Sequence, residues 1–204
     1  MRLVAVTQRV TVTPQTAERR DGVDQNWWPF LEACGLLPLP IPNHAATALC
    51  LVSQLPVGGL LLTGGDNLVA DGGSCPERDE TEFALLAYFR QQAKPILGVC
   101  RGMQVIQSAW GLALSEVAGH VTPQQTIQVN DQARVVNSYH TLGTVHSVPE
   151  LDVWGRSADG VVKAIRHRKE RITAIMWHPE RMLTVDPLDV ALFCDVFGRG
   201  EEES

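Results

Sequence analysis

An α/β fold with a mostly parallel central sheet and helices on both faces is predicted by two observations. Strand-like and helix-like patterns alternate through the first half of the chain, as repeated β-α-β units require. The apolar run Ile96-Leu97-Gly98-Val99 then leads into Cys100, with Gly98 and Gly102 on either side and a helix-compatible run at 103–110 behind it. A buried strand that turns sharply into a helix lifts the side chain at its apex above the sheet. The 204 residues suit one domain, 1–204, and contain no repeat, linker or second domain.

The elements follow in order. Arg2–Thr7 is an apolar first strand; as a signal start it is too short, and it turns polar at Thr7-Gln8-Arg9. Residues 24–33 predict a helix closed by Gly35, with Pro29 in its early turns. Leu36–Ile41 alternates with prolines and reads as an extended edge segment. Ala45–Gln54 predicts a helix, and 59–62 a buried strand ending at Thr63-Gly64-Gly65. The clearest helix covers 79–93, with Phe83, Leu86, Ala87 and Arg90 on one side and acids in its first turn. Ile96–Val99 is the strand before the turn. Residues 161–165 and 172–177 pattern as a hairpin across the charged turn 166–171. Asp186 caps a last helix that has Pro187 at its first position and runs to Phe197, where Gly198 ends it; 201–204 is a fraying acidic tail.

Composition excludes several classes. A net charge of −6 disfavours nucleic acid as a partner, because phosphate binding needs a basic face. No apolar run reaches the roughly 18 residues of a membrane helix. Five cysteines, an odd number without Cys-x-x-Cys spacing, fit a reducing, cytoplasmic compartment. Cys34, Cys50 and Cys194 lie in apolar surroundings and are expected in the core, and Cys75 in an exposed glycine-rich loop. The six histidines form no i,i+4 pair and no metal-ligand cluster, so neither a metal nor an organic cofactor is expected. Trp27-Trp28 reads as core, with a base-stacking surface as the rarer alternative.

The chemistry concentrates at two motifs. Cys100 at the strand–helix turn is a candidate nucleophile. The N–H of Arg101, at the helix start, is placed to hold an oxyanion, and the helix end favours the thiolate. A nucleophilic cysteine needs a base, and Met176-Trp177-His178-Pro179-Glu180-Arg181 supplies one. Pro179 stiffens the backbone after His178, and Glu180 two residues on can fix the imidazole tautomer. Cys, His, Glu is a valid triad order, since triads are defined by roles.

Gly-Val-Cys100-x-Gly-x-Gln104, followed about 75 residues later by His178-Pro179-Glu180, resembles the class I glutamine amidotransferase superfamily along nearly the whole chain. The elbow variant with Arg101, Val136-Asn137-Ser138-Tyr139-His140, and Trp177 to Glu180 resemble its γ-glutamyl hydrolase branch, the C26 peptidases. Amidotransferases of the superfamily usually carry an aliphatic residue in place of Arg101. Within the branch, Val6-Thr7-Gln8-Arg9, Thr63-Gly64-Gly65-Asp66-Asn67-Leu68, Arg78-Asp79-Glu80 and 176–181 are similar to the γ-glutamyl-CDP-amidate hydrolases of capsule phosphoramidate synthesis.

The resemblance implies a flavodoxin-like fold and cysteine-dependent cleavage of a γ-glutamyl amide, with glutamate released. It implies a second oxyanion donor in the N–H of Gly65, and contacts to the glutamyl group from Gln104 and from Asn137, Ser138, Tyr139 and His140. A diphosphate leaving group would need forked cations, for which Arg9, Arg78, Arg101 and Arg181 are the candidates. The partner is thus a small γ-glutamyl substrate, nucleotide-linked in this reading. γ-Glutamyl-γ-aminobutyrate hydrolase, or a glutaminase subunit feeding a synthetase, are the alternatives.

Overall fold

The computed structural model describes residues 1–198; the tail expected to fray at 201–204 lies outside them. The first half contains β1 (Arg2–Thr7), a hairpin of β2 (Arg9–Val12) and β3 (Arg19–Gly22), α1 (Trp27–Ala33), β4 (Leu36–Ile41), α2 (Ala45–Gln54), β5 (Leu60–Leu62), α3 (Pro76–Gln91), β6 (Ile96–Val99) and α4 (Arg101–Ala109). The second half contains β7 (Ser115–Glu116), β8 (Val121–Val129), β9 (Gln132–Tyr139), β10 (Leu142–Gly143), β11 (Leu151–Ser157), β12 (Val162–His167), β13 (Ile172–Ile175) and α5 (Pro187–Phe197).

Nine strands make one sheet in the order β4-β1-β5-β6-β13-β12-β11-β8-β9. The five from β4 to β13 run parallel, and the remaining four extend the sheet antiparallel. All residues of β5 and β6 are buried, as strands covered by helices on both faces must be. Phe30 of α1 meets Phe193 of α5 edge-to-face, with ring centroids 4.8 Å apart, on one face; α2, α3 and α4 pack together on the other. Trp27 joins the Phe30–Phe193 cluster and is core. Pro38 and Pro40 are tolerated because β4 is an edge strand. Asp186 caps α5 by accepting from the Leu188 N–H, and Gly198 ends it. No helix among the described residues is long and apolar enough to cross a membrane.

Several expectations need correction. α1 starts at Trp27, not at residue 24, because Asp24 accepts from the Asn26 N–H and holds a turn there. α3 starts at Pro76, three residues before the expected 79, with the proline at its first position. Its buried side is Arg78, Thr81, Glu82, Leu85, Leu86 and Phe89, whereas Ala87 and Arg90 are exposed. Two charged residues occupy core positions there, which displaces the apolar stripe read from the sequence. Cys50 is exposed rather than buried, Cys194 is half-buried, and Cys75 is buried at the start of α3. Strands β8, β9 and β11 are not among the expected elements: Ile127 is the single buried residue of β8, and Pro123 and Gln125 interrupt its alternation of apolar residues.

The sheet brings its site together where α4 crosses β5 and β6. A Cβ on Gly98 would lie 2.6 Å from the carbonyl carbon of Gly102, and one on Gly102 would collide with the Leu62 carbonyl. Gly98→Ala should therefore destabilise the fold by about 1–3 kcal/mol through overpacking. That corresponds to a melting temperature lower by roughly 2–10 °C. Thermal unfolding measures it, and an unchanged melting temperature would mean that α4 moves freely away from the sheet.

Candidate active site

Cys100 sits at the end of β6 with φ 53° and ψ −104°, a left-handed backbone that a residue with a Cβ adopts only under constraint. The constraint is visible. Its N–H donates to the Ile175 carbonyl at 2.8 Å, and its carbonyl accepts from Met103 and Gln104 at 3.0 and 3.2 Å, which starts α4. Cys100 is 5% exposed.

Facing it is the loop after β5. Thr63 is tied to β1, its N–H donating to Thr7 Oγ1 at 3.0 Å and its hydroxyl to the Thr7 carbonyl at 2.8 Å. Gly65 has φ +85°, a conformation open to glycine. A Cβ on Gly64 would lie 2.5 Å from His178 Cε1 and 3.4 Å from Cys100 Cβ, so this glycine makes the space in which imidazole and thiol meet.

His178 follows β13 and is fixed from three sides. Asn137 of β9 brackets its backbone: His178 N–H donates to Asn137 Oδ1 at 2.8 Å, and Asn137 Nδ2 donates to the His178 carbonyl at 2.7 Å. The 3₁₀ turn Pro179–Arg181 carries Glu180 to the ring, with Nδ1 at 2.7 Å from Glu180 Oε1. The preceding Trp177 donates from its indole to Asp189 of α5 at 2.9 Å. With Nδ1 committed to the carboxylate, Nε2 is the atom left for the thiol.

Burial raises the Cys100 pKa, but the charge of His178 and its hydrogen bond to the sulfur outweigh burial, and the thiol lies below its ordinary value. Burial likewise opposes the charged form of His178, yet the sulfur and Glu180 together raise it. Both shifts run toward a thiolate–imidazolium pair.

The structure brings Cys100, His178, Glu180, Gly64 and the backbone of Arg101 together, with Gly65 next in the chain and beside Arg9, and places the other expected residues differently. Gln104, one turn along α4 from Cys100, donates to the Leu142 carbonyl at 3.1 Å. Asn137, expected against substrate, has both ends of its amide on the backbone of His178. Ser138 and His140 are also turned inward. Ser138 Oγ donates to the His120 carbonyl at 2.8 Å, and His140 Nδ1 donates to the Leu142 carbonyl at 2.8 Å. Besides Asn137 on the His178 backbone, Tyr139 of that run reaches the site, its ring centroid 5.8 Å from that of His178.

The four arginines divide into two pairs. The Arg78 and Arg101 side chains are 0% and 1% exposed, so neither is a surface cation for a diphosphate. Arg78 bonds Asp66 and Glu82, and Arg101 bonds Asp79 and Glu82. Arg9 is 45% exposed beside Gly65, 3.4 Å from Asp66. Arg181 pairs with Asp24 at 3.1 Å and lies over the Tyr139 ring. With Thr63, Gly64 and Glu180, Arg9 and Arg181 line a small hollow at the mouth. A larger groove of about 640 Å³, between α5 and the antiparallel strands, contains none of these residues.

Sequence reasoning missed Glu82, which bridges the two buried arginines, and Lys163. Asp79-x-x-Glu82 carried a signal: with Arg78 four residues before Glu82, an ion pair shares one helix face. Lys163, between Val162 and Ala164, carried none. Its Nζ lies 2.6 Å from His140 Nε2 and 3.0 Å from Ser138 Oγ. Burial pushes Lys163 down to about 8, and burial with the Lys163 charge pushes His140 down to about 3, so His140 is the neutral acceptor.

The sequence matches the family Peptidase C26 over residues 2–134 and 120–180. It is 27% identical over 192 residues to the putative glutamine amidotransferase-like protein YvdE of Lactococcus lactis, covering 81% of each chain. It is 22% identical over 183 residues to the γ-glutamyl-CDP-amidate hydrolase of Campylobacter jejuni, covering 87% of this chain and 90% of that one. Among solved structures, a putative GMP synthase component of Thermoplasma acidophilum superposes with a TM-score of 0.70 at 17% identity, over 98% of this chain and 94% of that one. The glutaminase domain of the Trypanosoma brucei CTPS gives 0.70 at 14% identity, over 96% and 93%. The fold is that of the class I glutamine amidotransferases.

The pKa directions set an expected pH profile. With Cys100 lowered and His178 raised, alkylation of Cys100 by iodoacetamide should show its pH midpoint below that of an ordinary thiol. In His178→Ala the lowering influence is gone and burial remains, so the thiol should titrate above its ordinary range. Alkylation at pH 7 should then drop at least about tenfold. Rate against pH, with Cys100→Ala correcting for other thiols, checks this; a wild-type midpoint near 9 would contradict the ion pair.

Proposed function

The chain belongs to the peptidase C26 family, and on that premise we propose that it is a cysteine-dependent γ-glutamyl hydrolase acting on a nucleotide-linked amide, γ-glutamyl-CDP-amidate. The observation that carries the chemistry is Cys100 on its constrained elbow opposite a His178 held by Glu180. The Cys100 thiolate attacks the γ-carbonyl carbon, and the carbonyl electrons move onto oxygen. The backbone N–H groups of Arg101 and Gly65 receive this oxyanion. As the C–N bond breaks, His178 Nε2 gives its proton to the leaving nitrogen, and a γ-glutamyl thioester remains. Water then loses a proton to His178 and attacks the thioester, which releases glutamate and restores the thiolate–imidazolium pair. Glu180 stabilises the imidazolium and holds the tautomer throughout. No step calls for a metal.

Two observations support the nucleotide-linked leaving group. Arg9 and Arg181 are the cations at the mouth, on the side of Gly64 and Glu180. The relative from Campylobacter jejuni is aligned along most of both chains. In this reading the glutamyl part meets Tyr139, beside the His178 ring, and Gln104, whose Nε2 is held by the Leu142 carbonyl. A second reading, a glutaminase subunit of a synthetase, is favoured by one feature: Leu183, Val185 and Leu188, just past the His178 turn, are all exposed, as a docking rim would be.

Glutamate release from γ-glutamyl-CDP-amidate, L-glutamine and γ-glutamyl-γ-aminobutyrate, with Cys100→Ala as blank, tests the assignment. The expected result is a large kcat/KM preference for the nucleotide substrate, lost in Cys100→Ala. Activity on glutamine alone, or only with an added synthetase, would move the protein to the glutaminase components of amidotransferases. Arg9→Ala should raise KM for the nucleotide substrate about tenfold, a loss of about 1.4 kcal/mol of binding, and leave the glutamine KM unchanged. An equal effect on both would remove Arg9 from the leaving-group site.

A further inference from the structure

Beneath the site lies a buried charge network that the mechanism above does not use. Arg78 and Glu82 of α3 are both 0% exposed, and Arg101 of α4 is 1% exposed. Arg78 Nε donates to Glu82 Oε1 at 3.0 Å. Its Nη1 donates to the Gly65 carbonyl at 2.6 Å and to Asp66 Oδ2 at 3.0 Å. Its Nη2 donates to the Thr63 and Gly64 carbonyls, both at 3.0 Å, and to Thr63 Oγ1 at 3.3 Å. The other Glu82 oxygen, Oε2, takes Arg101 Nη1, and Asp79 Oδ1 takes Arg101 Nη2.

Three consecutive carbonyls therefore point at one guanidinium. In a trans peptide the C=O of one residue and the N–H of the next point in opposite directions. With the Gly64 carbonyl drawn onto Arg78, the Gly65 N–H is turned the other way, away from the guanidinium, and the adjoining Gly64 is the residue whose Cβ would meet His178 and Cys100. Two successive glycines would otherwise flip this peptide at little steric cost. The same carboxylate that holds Arg78 also holds the side chain of Arg101, whose N–H lies at the elbow. Glu82 thus links the two segments that carry the oxyanion donors. A buried ion network is a weak source of net stability, so its use is more readily found in geometry.

We propose that Arg78, braced by Glu82, is a positioning residue of the oxyanion site: it locks the Gly64–Gly65 peptide with its N–H toward the substrate carbonyl, and keeps it in register with the Arg101 N–H. The proposal rests on the γ-glutamyl hydrolase reading. Arg78 acts through the loop and touches neither substrate nor thiol.

Arg78→Lys keeps the charge but cannot span three carbonyls. Its kcat should fall by about 10²–10³-fold, the usual loss for one oxyanion donor, with KM within twofold. The alkylation rate of Cys100 and its pH midpoint should stay at wild-type values, because the lysine keeps the positive charge near the sulfur and leaves the His178 and Arg101 N–H contacts to the thiolate in place. Glu82→Gln, which keeps size and shape, should give a smaller kcat loss of the same type, and it decides the matter if Arg78→Lys does not fold. Unchanged kcat in the folded variants, or kcat and alkylation falling together with the melting temperature, would reduce the network to a structural brace and overturn the proposal. A rise in KM confined to nucleotide substrates would make Arg78 a leaving-group contact and overturn it too. If the wild type alkylates normally but hydrolyses no γ-glutamyl amide, the hydrolase reading falls and takes this one with it.

Discussion

The close approach of α4 to β5 and β6 is the constraint on which the site depends. Gly98 and Gly102 meet backbone to backbone, and Gly102 lies against Leu62. That contact lets the chain reverse within one residue, and the residue is Cys100, at φ 53°. Any larger side chain at the crossing would push the helix off the sheet and relax the turn. The thiol would then lose both its height above the strands and the N–H groups of the first helical turn. The strain at Cys100 is balanced by the ladder to β13, through the Ile175 carbonyl, and β13 leads directly to His178. Cys100 and His178 are therefore placed by one pair of adjacent parallel strands, one residue and three residues past their ends.

The second organising feature is the sorting of charge between inside and mouth. Two guanidiniums and their carboxylates fill the space between α3, α4 and the Thr63–Asp66 loop, where an apolar core would normally lie. Arg9 and Arg181 remain at the surface. The buried pair could not serve a phosphate without abandoning carboxylates already bonded at short range, and stripping a partner from a buried charge is costly. Electrostatic work is thus divided: inside, charge holds backbone carbonyls; outside, Arg9 and Arg181 stay accessible beside Asp66 and Asp24.

The candidate site is more legible in the sequence than the fold around it. Cys100, His178 and Glu180 stand in short motifs whose spacing is set by local geometry, a strand–turn–helix in one case and a proline-stiffened turn in the other, so reading each motif is enough. The parallel half of the sheet is legible because β1, β5 and β6 are buried runs bounded by turns. The antiparallel half is not: β8 buries only Ile127, and its pairing with β9 and β11 is a tertiary fact. For the same reason the sequence marks Asn137 as important but hides its task. Its amide lies against His178 only because β9 returns across the sheet, forty-one positions away in the chain. Arg78 and Arg101 mislead because charge in a sequence says nothing of burial, and the partners that permit burial, Asp79 and Glu82, sit in a helix whose core face the pattern gives to apolar residues.

The antiparallel extension does more than lengthen the sheet. β9 supplies Asn137, and β12 supplies Lys163, which reaches under Ser138 and His140. His140 in turn shares the Leu142 carbonyl with Gln104, one helical turn from Cys100. A polar chain thus runs from β12 through β9 to α4, parallel to the chain from Arg78 through Glu82 to Arg101 on the other side. One side holds Gln104 and brackets His178; the other holds the Thr63, Gly64 and Gly65 carbonyls and the Arg101 side chain. A site fixed from both sides before substrate arrives needs little rearrangement to stabilise charge that appears only in the transition state, and that preorganisation is where such a site gains rate.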